Sequence, residues 1–374
     1  MPDDFPLDRG LLGRVLDQLN IGAYITDRQR RIMVWNRKAA EITGHPAEKV
    51  VGTACWDNIL QHIDKDGRQL CTTSLCPLLR SMNLGKASAD PILVYARKAD
   101  GARIAVSVSA APLTDDSGNI VGAIETFRDE SAYVADMEFA AKIQRHLFPR
   151  RLPSNESIIF DVRYWPHDVI GGDFYDVFEI EPNLYGIMVA DVRGHGVSAA
   201  LYTMWLKSLE SANAGRAGDP PAMIGALNRA FVRMTVPDSF VTGLYGVFEA
   251  PTGIFTYCNA GHVPPLIYRA GSHEVSELES HGLPLGISSE EAYESSSVEV
   301  AAGDMVFLYT DGLADVAGKN GRMLTARDLS EILAAQIADG QEDLLDRIYQ
   351  AVLDRSSQVA LDDDCMMISA RRPG

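Results

Sequence analysis

Four aspartates, far apart in the chain, share one local pattern of apolar strand, acid and turn. Asp191 ends the strand-like run IMVAD and is followed by the turn of Gly194, His195 and Gly196 and then by helix-forming Ala- and Leu-rich sequence. Asp173 lies in VIGGDFYDVFEI, where paired glycines expose the backbone, and Asp311 ends the apolar run of MVFLYTDGLADV. Asp363 belongs to the triple acid of ALDDDCMMISAR, so that Asp364 is an alternative one residue on. An ionised carboxylate at the end of a buried strand is costly when nothing neutralises it, and a cation removes that cost. Oxygen ligands without Cys or His suit hard cations, Mg²⁺ or Mn²⁺. Two such ions sharing a carboxylate can activate a water for in-line attack on phosphorus.

The elements that position these acids occupy the second part of the chain. Strand-rich text is interrupted by helical patterns at 199–212, 221–233, 326–338 and 342–353, and the last strand covers 365–370. At 374 residues the chain suggests two domains, and 46% hydrophobic residues supply their cores. The net charge of −17 argues against nucleic acid and against an anionic membrane surface. No apolar run reaches the roughly 18–20 residues that span a bilayer, and MPDDFPLDRG is no secretory signal, which points to a soluble, cytoplasmic protein. Five cysteines, an odd number and unevenly placed, make no disulfide framework.

The first domain covers residues 1–130. A helical pattern in LLGRVLDQLN precedes the strand IGAYITD, a strand and short helix in RRIMVWNRKAAEITG, and three β-rich runs at 91–96, 103–112 and 120–128. Turn signals KADGA and DDSGN separate the last three into a meander. With the segments GAYITDRQRRIMVWNRKAAEITGHPAEKVVG and DGARIAVSVSAAPLTDDSGNIVGAIETFRD, this region resembles a PAS sensor domain. Its middle places Cys55, His62, Cys71 and Cys76 in a loop-like stretch. Thiolates and imidazole suit zinc, haem or an iron–sulfur cluster, or redox chemistry. The spacings match no standard zinc pattern, and the alternative is that the thiols pack as small hydrophobes in a reducing cytosol.

Residues 131–153 form the connector. Tyr133, Met137, Ala140, Gln144 and Leu147 recur at steps of four and three, a helical seam stopped by Pro149 and Pro153. Two readings follow: a helix that pairs with its copy in a homodimer, together with the first domain, or an amphipathic helix lying on one domain. The former is preferred.

Over residues 154–374 the motifs GGDFYD, ADVRGHGVSAAL, YCNAGHVPPLI, GLPLGI, FLYTDGL and DDDCMMI occur in order. The set resembles the SpoIIE/RsbU branch of the PPM (type 2C) metal-dependent serine/threonine protein phosphatases. The resemblance implies an α+β chain whose C-terminal part is an αββα sandwich holding two Mn²⁺ or Mg²⁺ ions. It implies a phosphorylated protein substrate, typically the STAS-domain antagonist of an anti-sigma factor. Carried over by motif, Asp191 bridges the metals, the Val192 backbone carbonyl completes one shell, Asp173 helps hold one ion, and Asp311 with Asp363 holds the other. Asp176 is expected to be structural or to support the ligands from behind. Asn259, Gly261 and His262 of NAGH shape a turn. Arg193 and Arg163 are candidates for the phosphate, and His195 has no firm role. Asp315 and Met366 depart from the pattern, standing where Glu and Thr are usual. The competing readings are a partner-binding regulator with a decayed site and a nucleotide cyclase, since GGDF is close to GGDEF. In the preferred reading the PAS domain regulates the phosphatase through the connector.

Overall fold

The computed structural model describes residues 9–57, 59–194, 196–234, 239–279, 281–319, 321–338, 342–357 and 361–374. The chain forms two compact units, Met1–Asp136 and Met137–Gly374.

In the first unit α1 (Arg9–Asp17) leads into β1 (Gly22–Asp27) and β2 (Ile32–Trp35). Three short helices follow, α2 (Arg37–Thr43), α3 (Ala47–Val50) and α4 (Pro77–Leu84). The meander is β3 (Ile92–Arg97), β4 (Arg103–Thr114) and β5 (Ile120–Asp129), and the sheet order is β2-β1-β5-β4-β3. The start of α2 is set by Asn36, whose side chain accepts from the backbone N–H of Ala39 and also from that of Ala23 in β1. The cap therefore ties helix to sheet as well as satisfying an end group. Apolar residues of the sheet, among them Tyr24, Val94, Val106 and Phe127, pack against Ala39, Val50 and Leu78 of the helices.

Helix α5 (Ser131–Arg145) begins in the first unit and continues into the second. Its seam departs from the expected pairing with a second copy. Met137 and Ala140 pack with Ala141, Ile170 and Ala200, and Leu147 joins the core beneath the helices of the second unit. The buried Gln144 donates from Nε2 to the Gly171 carbonyl at 2.7 Å and to Thr203 Oγ1 at 3.0 Å. From Met137 onward, then, the apolar stripe is used within its own chain, which meets no association entropy. The outward face carries Phe139, 65% exposed, and Ile143, 42% exposed.

The second unit has two antiparallel sheets. One is ordered β13-β10-β9-β8-β7, from β7 (Asp173–Glu181), β8 (Leu184–Val192), β9 (Val241–Glu249), β10 (Ile254–Ala260) and β13 (Ser296–Glu299). The other is ordered β12-β11-β14-β15-β6, from β6 (Ile159–Trp165), β11 (Leu266–Arg269), β12 (Glu274–Glu277), β14 (Met305–Tyr309) and β15 (Cys365–Arg371). Val177, Ile187, Val189, Leu244 and Phe248 face Phe160, Ile267, Val306, Leu308 and Ile368 between the sheets. The outer face of the first sheet is covered by α6 (Val197–Ala212) and α7 (Pro220–Met234), through Leu206, Ile224, Leu227 and Phe231. The outer face of the second is covered by α8 (Ala326–Ala338) and α9 (Leu344–Arg355), through Leu329, Leu333, Leu345 and Ile348. This is an αββα sandwich. Because side chains alternate along a strand, each strand feeds one row into the inter-sheet core and one under its helices. Among the described residues, no helix is long and apolar enough to cross a membrane.

Candidate active site

The inward rows of the two sheets end in polar residues at one edge of the sandwich. On β8, Ile187 and Val189 point between the sheets, and Asp191 continues their row. On β7, Tyr175 and Val177 define the same row, and Asp173 begins it directly opposite Asp191. Asp191 in turn lies opposite Thr242 of β9. From the second sheet, Val306 and Leu308 lead to Thr310 and the single turn Asp311–Leu313, while Met366 and Ile368 lead back to Asp364. A cavity of about 370 Å³ opens there, lined by Asp191, Asp311 and Asp363 and also by Arg193, Thr242 and His167.

Asp173 sits deeper. It is 1% exposed, and Oδ2 accepts from Thr310 Oγ1 at 2.7 Å, while Thr310 Oγ1 itself accepts from the Met366 N–H at 2.9 Å. Thr310 thus fastens an acid of one sheet to two strands of the other. The two neighbouring acids Asp363 and Asp364 have different environments. Asp364 is buried, and its two oxygens accept from the backbone N–H groups of His167 at 2.7 Å and Gly172 at 2.6 Å. Asp363 is exposed on the cavity and accepts from the Asp364 N–H at 2.8 Å. Asp364 clamps the loop that carries the two glycines, whereas Asp363 faces the cavity.

Two glycines make this approach possible. A Cβ on Gly172 would lie 2.9 Å from the Val192 carbonyl oxygen and 3.2 Å from the Ala199 side chain, so its absence lets the loop lie against the strand end. A Cβ on Gly312 would overlap the Asp364 carbonyl, so the turn after Asp311 can close on β15 only with glycine.

Electrostatically the acids at this edge form a negative cluster. Burial and then Asp311, Asp363 and Asp364 push Asp191 up to about 7. Burial and then Asp191 and Asp364 hold Asp173 well above the carboxylate range, and burial followed by Asp363 and Asp315 raises Asp311. Among the described residues no three His, Cys, Asp or Glu side chains are already drawn around one point. The chemistry of the donors nevertheless fits a hard divalent cation: oxygen only, anionic, and raised mainly by burial and by one another.

Other expected residues fall elsewhere. Asp176 points to the helix side of β7, where Lys207 of α6 binds both it and the buried Glu210. Its distance of three from Asp173 places the two on opposite faces, away from the cavity. Arg163 is held by Asp161 at 2.7 Å and Asp346 at 2.9 Å, which removes it as a candidate for the phosphate. Arg193 lines the cavity, its guanidinium 5.2 Å from the Phe240 ring centroid. His195 lies outside the described residues. His262 is buried, with its backbone N–H donating to Asn259 Oδ1 at 2.7 Å, and burial lowers its imidazole to about 4. Thr242, Thr310 and His167 were missed by sequence reasoning; only the Thr of TDG carried a signal, as part of a motif already quoted.

In the first unit Cys55, Cys71 and Cys76 are buried thiols, and Cys55 and Cys76 belong to the apolar core. Burial pushes Cys71 up to about 12 and lowers the buried His62 to about 4. Glu125 on β5 is 1% exposed, accepts from the Tyr24 hydroxyl at 2.9 Å, and is pushed by burial up to about 7. The four sequence candidates are thus buried in one unit, and the described residues do not form a metal-ligand group there.

The αββα sandwich is the fold of type 2C (PP2C) phosphatase domains. Residues 181–373 match the family of Stage II sporulation protein E (SpoIIE), and residues 20–132 match the PAS domain. The chain belongs to the SpoIIE family and carries a PAS domain ahead of its phosphatase domain. Asp173 precedes the matched SpoIIE span, so its place rests on the geometry alone. The nucleotide cyclase reading of GGDF is thereby set aside: Asp173 opens a strand of a phosphatase sandwich.

The chain is 27% identical over 238 residues to the phosphoserine phosphatase RsbU of Bacillus subtilis, covering 64% of this chain and 70% of that protein. It is 26% identical over 237 residues to the phosphoserine phosphatase RsbP of the same organism, covering 62% of this chain and 57% of that protein. Among solved structures, the SiaA-PP2C domain of Pseudomonas aeruginosa shares the fold with a TM-score of 0.57 and 24% identity, over 65% of this chain and 97% of that domain. The RsbU and RsbW domains of Rv1364c from Mycobacterium tuberculosis share it with a TM-score of 0.50 and 24% identity, over 58% of this chain and 60% of that one.

Proposed function

We propose that the protein removes phosphate from phosphoserine or phosphothreonine on a partner protein, a STAS-domain antagonist of an anti-sigma factor, under control of its PAS domain. The observation that carries this reading is the convergence of Asp173, Asp191, Asp311 and Asp363 from four strand ends on one edge of the sandwich, where burial and the neighbouring acids raise Asp173, Asp191 and Asp311. The names of the two Bacillus relatives support phosphoserine as the substrate group.

In this reading two Mn²⁺ or Mg²⁺ ions would share Asp191, with the Val192 carbonyl beside it, while Asp173 would help hold one ion and Asp311 with Asp363 would hold the other. Bound ions supply acidified water and charge balance for phosphoryl oxygens. The chain's own contribution is placement. Thr310 keeps Asp173 oriented, and Asp364 holds the Gly171–Gly172 loop so that Asp173 stands behind the cavity, opposite Asp191. Arg193, exposed at the cavity rim with its guanidinium beside the Phe240 ring, is the residue proposed to meet a phosphoryl oxygen.

Regulation follows from Gln144, which joins the connector helix to Gly171, two residues before Asp173. A shift of α5 moves that loop. A homodimer, if formed along this helix, uses the outward face with Phe139 and Ile143. The test is Mn²⁺-dependent release of phosphate from a phosphorylated STAS-domain protein and from an aryl phosphate. Loss of both activities in EDTA and in Asp191→Asn supports the reading. Turnover that persists in EDTA refutes the metal-dependent reading, and no turnover with any metal refutes it in favour of a non-catalytic partner-binding module.

A further inference from the structure

We infer that Thr242 is a working part of the centre: a hydrogen-bond acceptor aimed into the cavity and held in that state by His262, which acts as its positioning residue. His262 Nδ1 lies 3.0 Å from Thr242 Oγ1, and Nε2 lies 3.0 Å from the Tyr309 carbonyl oxygen. A carbonyl can only accept, so Nε2 bears the hydrogen. In the neutral ring Nδ1 is then the acceptor, and the Thr242 hydroxyl must donate to it. With its hydrogen committed, Thr242 Oγ1 has only lone pairs left to offer the cavity that it lines. An untethered threonine would rotate to donate or accept as its neighbour required.

The placement gives this consequence. Thr242 is the residue of β9 directly opposite Asp191, on the inward row with Leu244 and Phe248. His262 is itself fixed by reciprocal bonds with Asn259, whose Oδ1 accepts at 2.7 Å and whose Nδ2 donates to the His262 carbonyl at 3.1 Å. A Cβ on Gly261 would meet Pro284 at 2.6 Å, so the turn presenting His262 is tightly packed. The imidazole spans the two sheets, from β9 to the end of β14, two residues before Asp311. NAGH is therefore more than a turn. It sets the polarity of one cavity hydroxyl.

A neutral acceptor beside Asp191 takes the hydrogen of a water or hydroxyl, and a hydrated divalent cation held by Asp191 carries such hydrogens. The inference therefore rests on the cation reading proposed above. The test is Mn²⁺ binding measured by calorimetry on the full chain without substrate, beside kcat and KM for an aryl phosphate. Thr242→Val, which keeps shape and loses the hydroxyl, is expected to weaken Mn²⁺ binding about tenfold, the worth of one hydrogen bond. Thr242→Ser is expected to stay within about twofold. His262→Phe in the Thr242→Val background should add little further loss of affinity. Should the histidine variant not fold, the Val and Ser pair decides alone.

Equal Mn²⁺ affinity in the parent and Thr242→Val, with binding abolished by Asp191→Asn, overturns this inference and leaves the cation reading standing. Serine as damaging as valine overturns it too, since the hydroxyl is then irrelevant. A parent chain that takes up no Mn²⁺ overturns the cation reading and this inference together.

Discussion

Substituting each of two adjacent acids by asparagine separates holding a cation from holding the fold. Asp363→Asn and Asp364→Asn each remove one negative charge from the same cluster. The relief of repulsion in metal-free protein is therefore similar, but Asp364→Asn also sheds a burial penalty that the exposed Asp363 does not carry. The opposing effect is hydrogen bonding. Asp364 accepts two backbone N–H bonds from the loop at 2.7 and 2.6 Å, and asparagine has one acceptor oxygen for them and turns an NH₂ toward the other donor. Asp363 accepts one, at 2.8 Å, from its neighbour on an exposed edge, and asparagine can keep it. Losing one charge-assisted bond costs about 1.5–3 kcal/mol. With that relief offsetting part of the loss, Asp364→Asn should be less stable than Asp363→Asn by up to about 2 kcal/mol, or up to roughly 4–8 °C in midpoint for a unit of this size. The assay is thermal unfolding in EDTA, beside phosphatase turnover in Mn²⁺. Asp363→Asn should be nearly inactive while unfolding no earlier than the parent. The reverse pattern, with Asp364→Asn stable and inactive and Asp363→Asn active, would refute the assignment of clamp and ligand.

Four further outcomes are expected. Gln144→Ala strands the Gly171 carbonyl and should destabilise the second unit by about 1–3 kcal/mol while lowering turnover, checked by unfolding and aryl phosphate hydrolysis. Gly312→Ala forces a methyl into the Asp364 carbonyl and should cost about 1–3 kcal/mol with a larger loss of turnover, since the Asp311 turn and Asp363 move together. In metal-free protein, the folded pKa of Asp191 is about 7 against 3.8 without the fold, so its contribution is intact below about pH 4 and is lost as pH rises through 7. Asp191→Asn should then flatten that decline in EDTA, read as midpoint against pH. In the PAS domain, Glu125, raised to about 7, loses stability as pH rises through that value, whereas His62, lowered to about 4, loses it as pH falls toward 4. Glu125→Gln should remove the Glu125 part and keep a loss toward low pH from His62, whose Nε2 lies 3.9 Å from Glu125 Oε1, so that hydrogen exchange in β1 and β5 slows as pH rises from 4 to 6.5 after correction for intrinsic rates.

The acids were legible because strand, acid and turn leave little choice about where a side chain ends. The four helices of the sandwich were legible too, with α8 (Ala326–Ala338) at the expected bounds and the last strand, Cys365–Arg371, one residue longer than read. Asp176 also was decidable, since an odd step from Asp173 along a strand reverses the face. The choice between Asp363 and Asp364 was not, because it depends on which acid meets the amides of a loop nearly two hundred residues earlier. Periodicity likewise marked the seam of α5 but not what covers it: Met137, Ala140 and Leu147 suit a second helix or their own domain equally, and Gln144 finds Gly171 only in the folded chain. The partnership of Thr242, His262 and Tyr309 joins two sheets and leaves no trace in local spacing.

The central claim is that the strand-end acids form a divalent cation site at which phosphate is released. Mn²⁺ stoichiometry by equilibrium dialysis on the parent and on Asp191→Asn, with turnover followed in the same samples, tests it most directly. The account predicts two Mn²⁺ per parent chain, with turnover rising as they bind, and loss of both occupancy and turnover in the variant. Full occupancy and turnover retained in Asp191→Asn would contradict it.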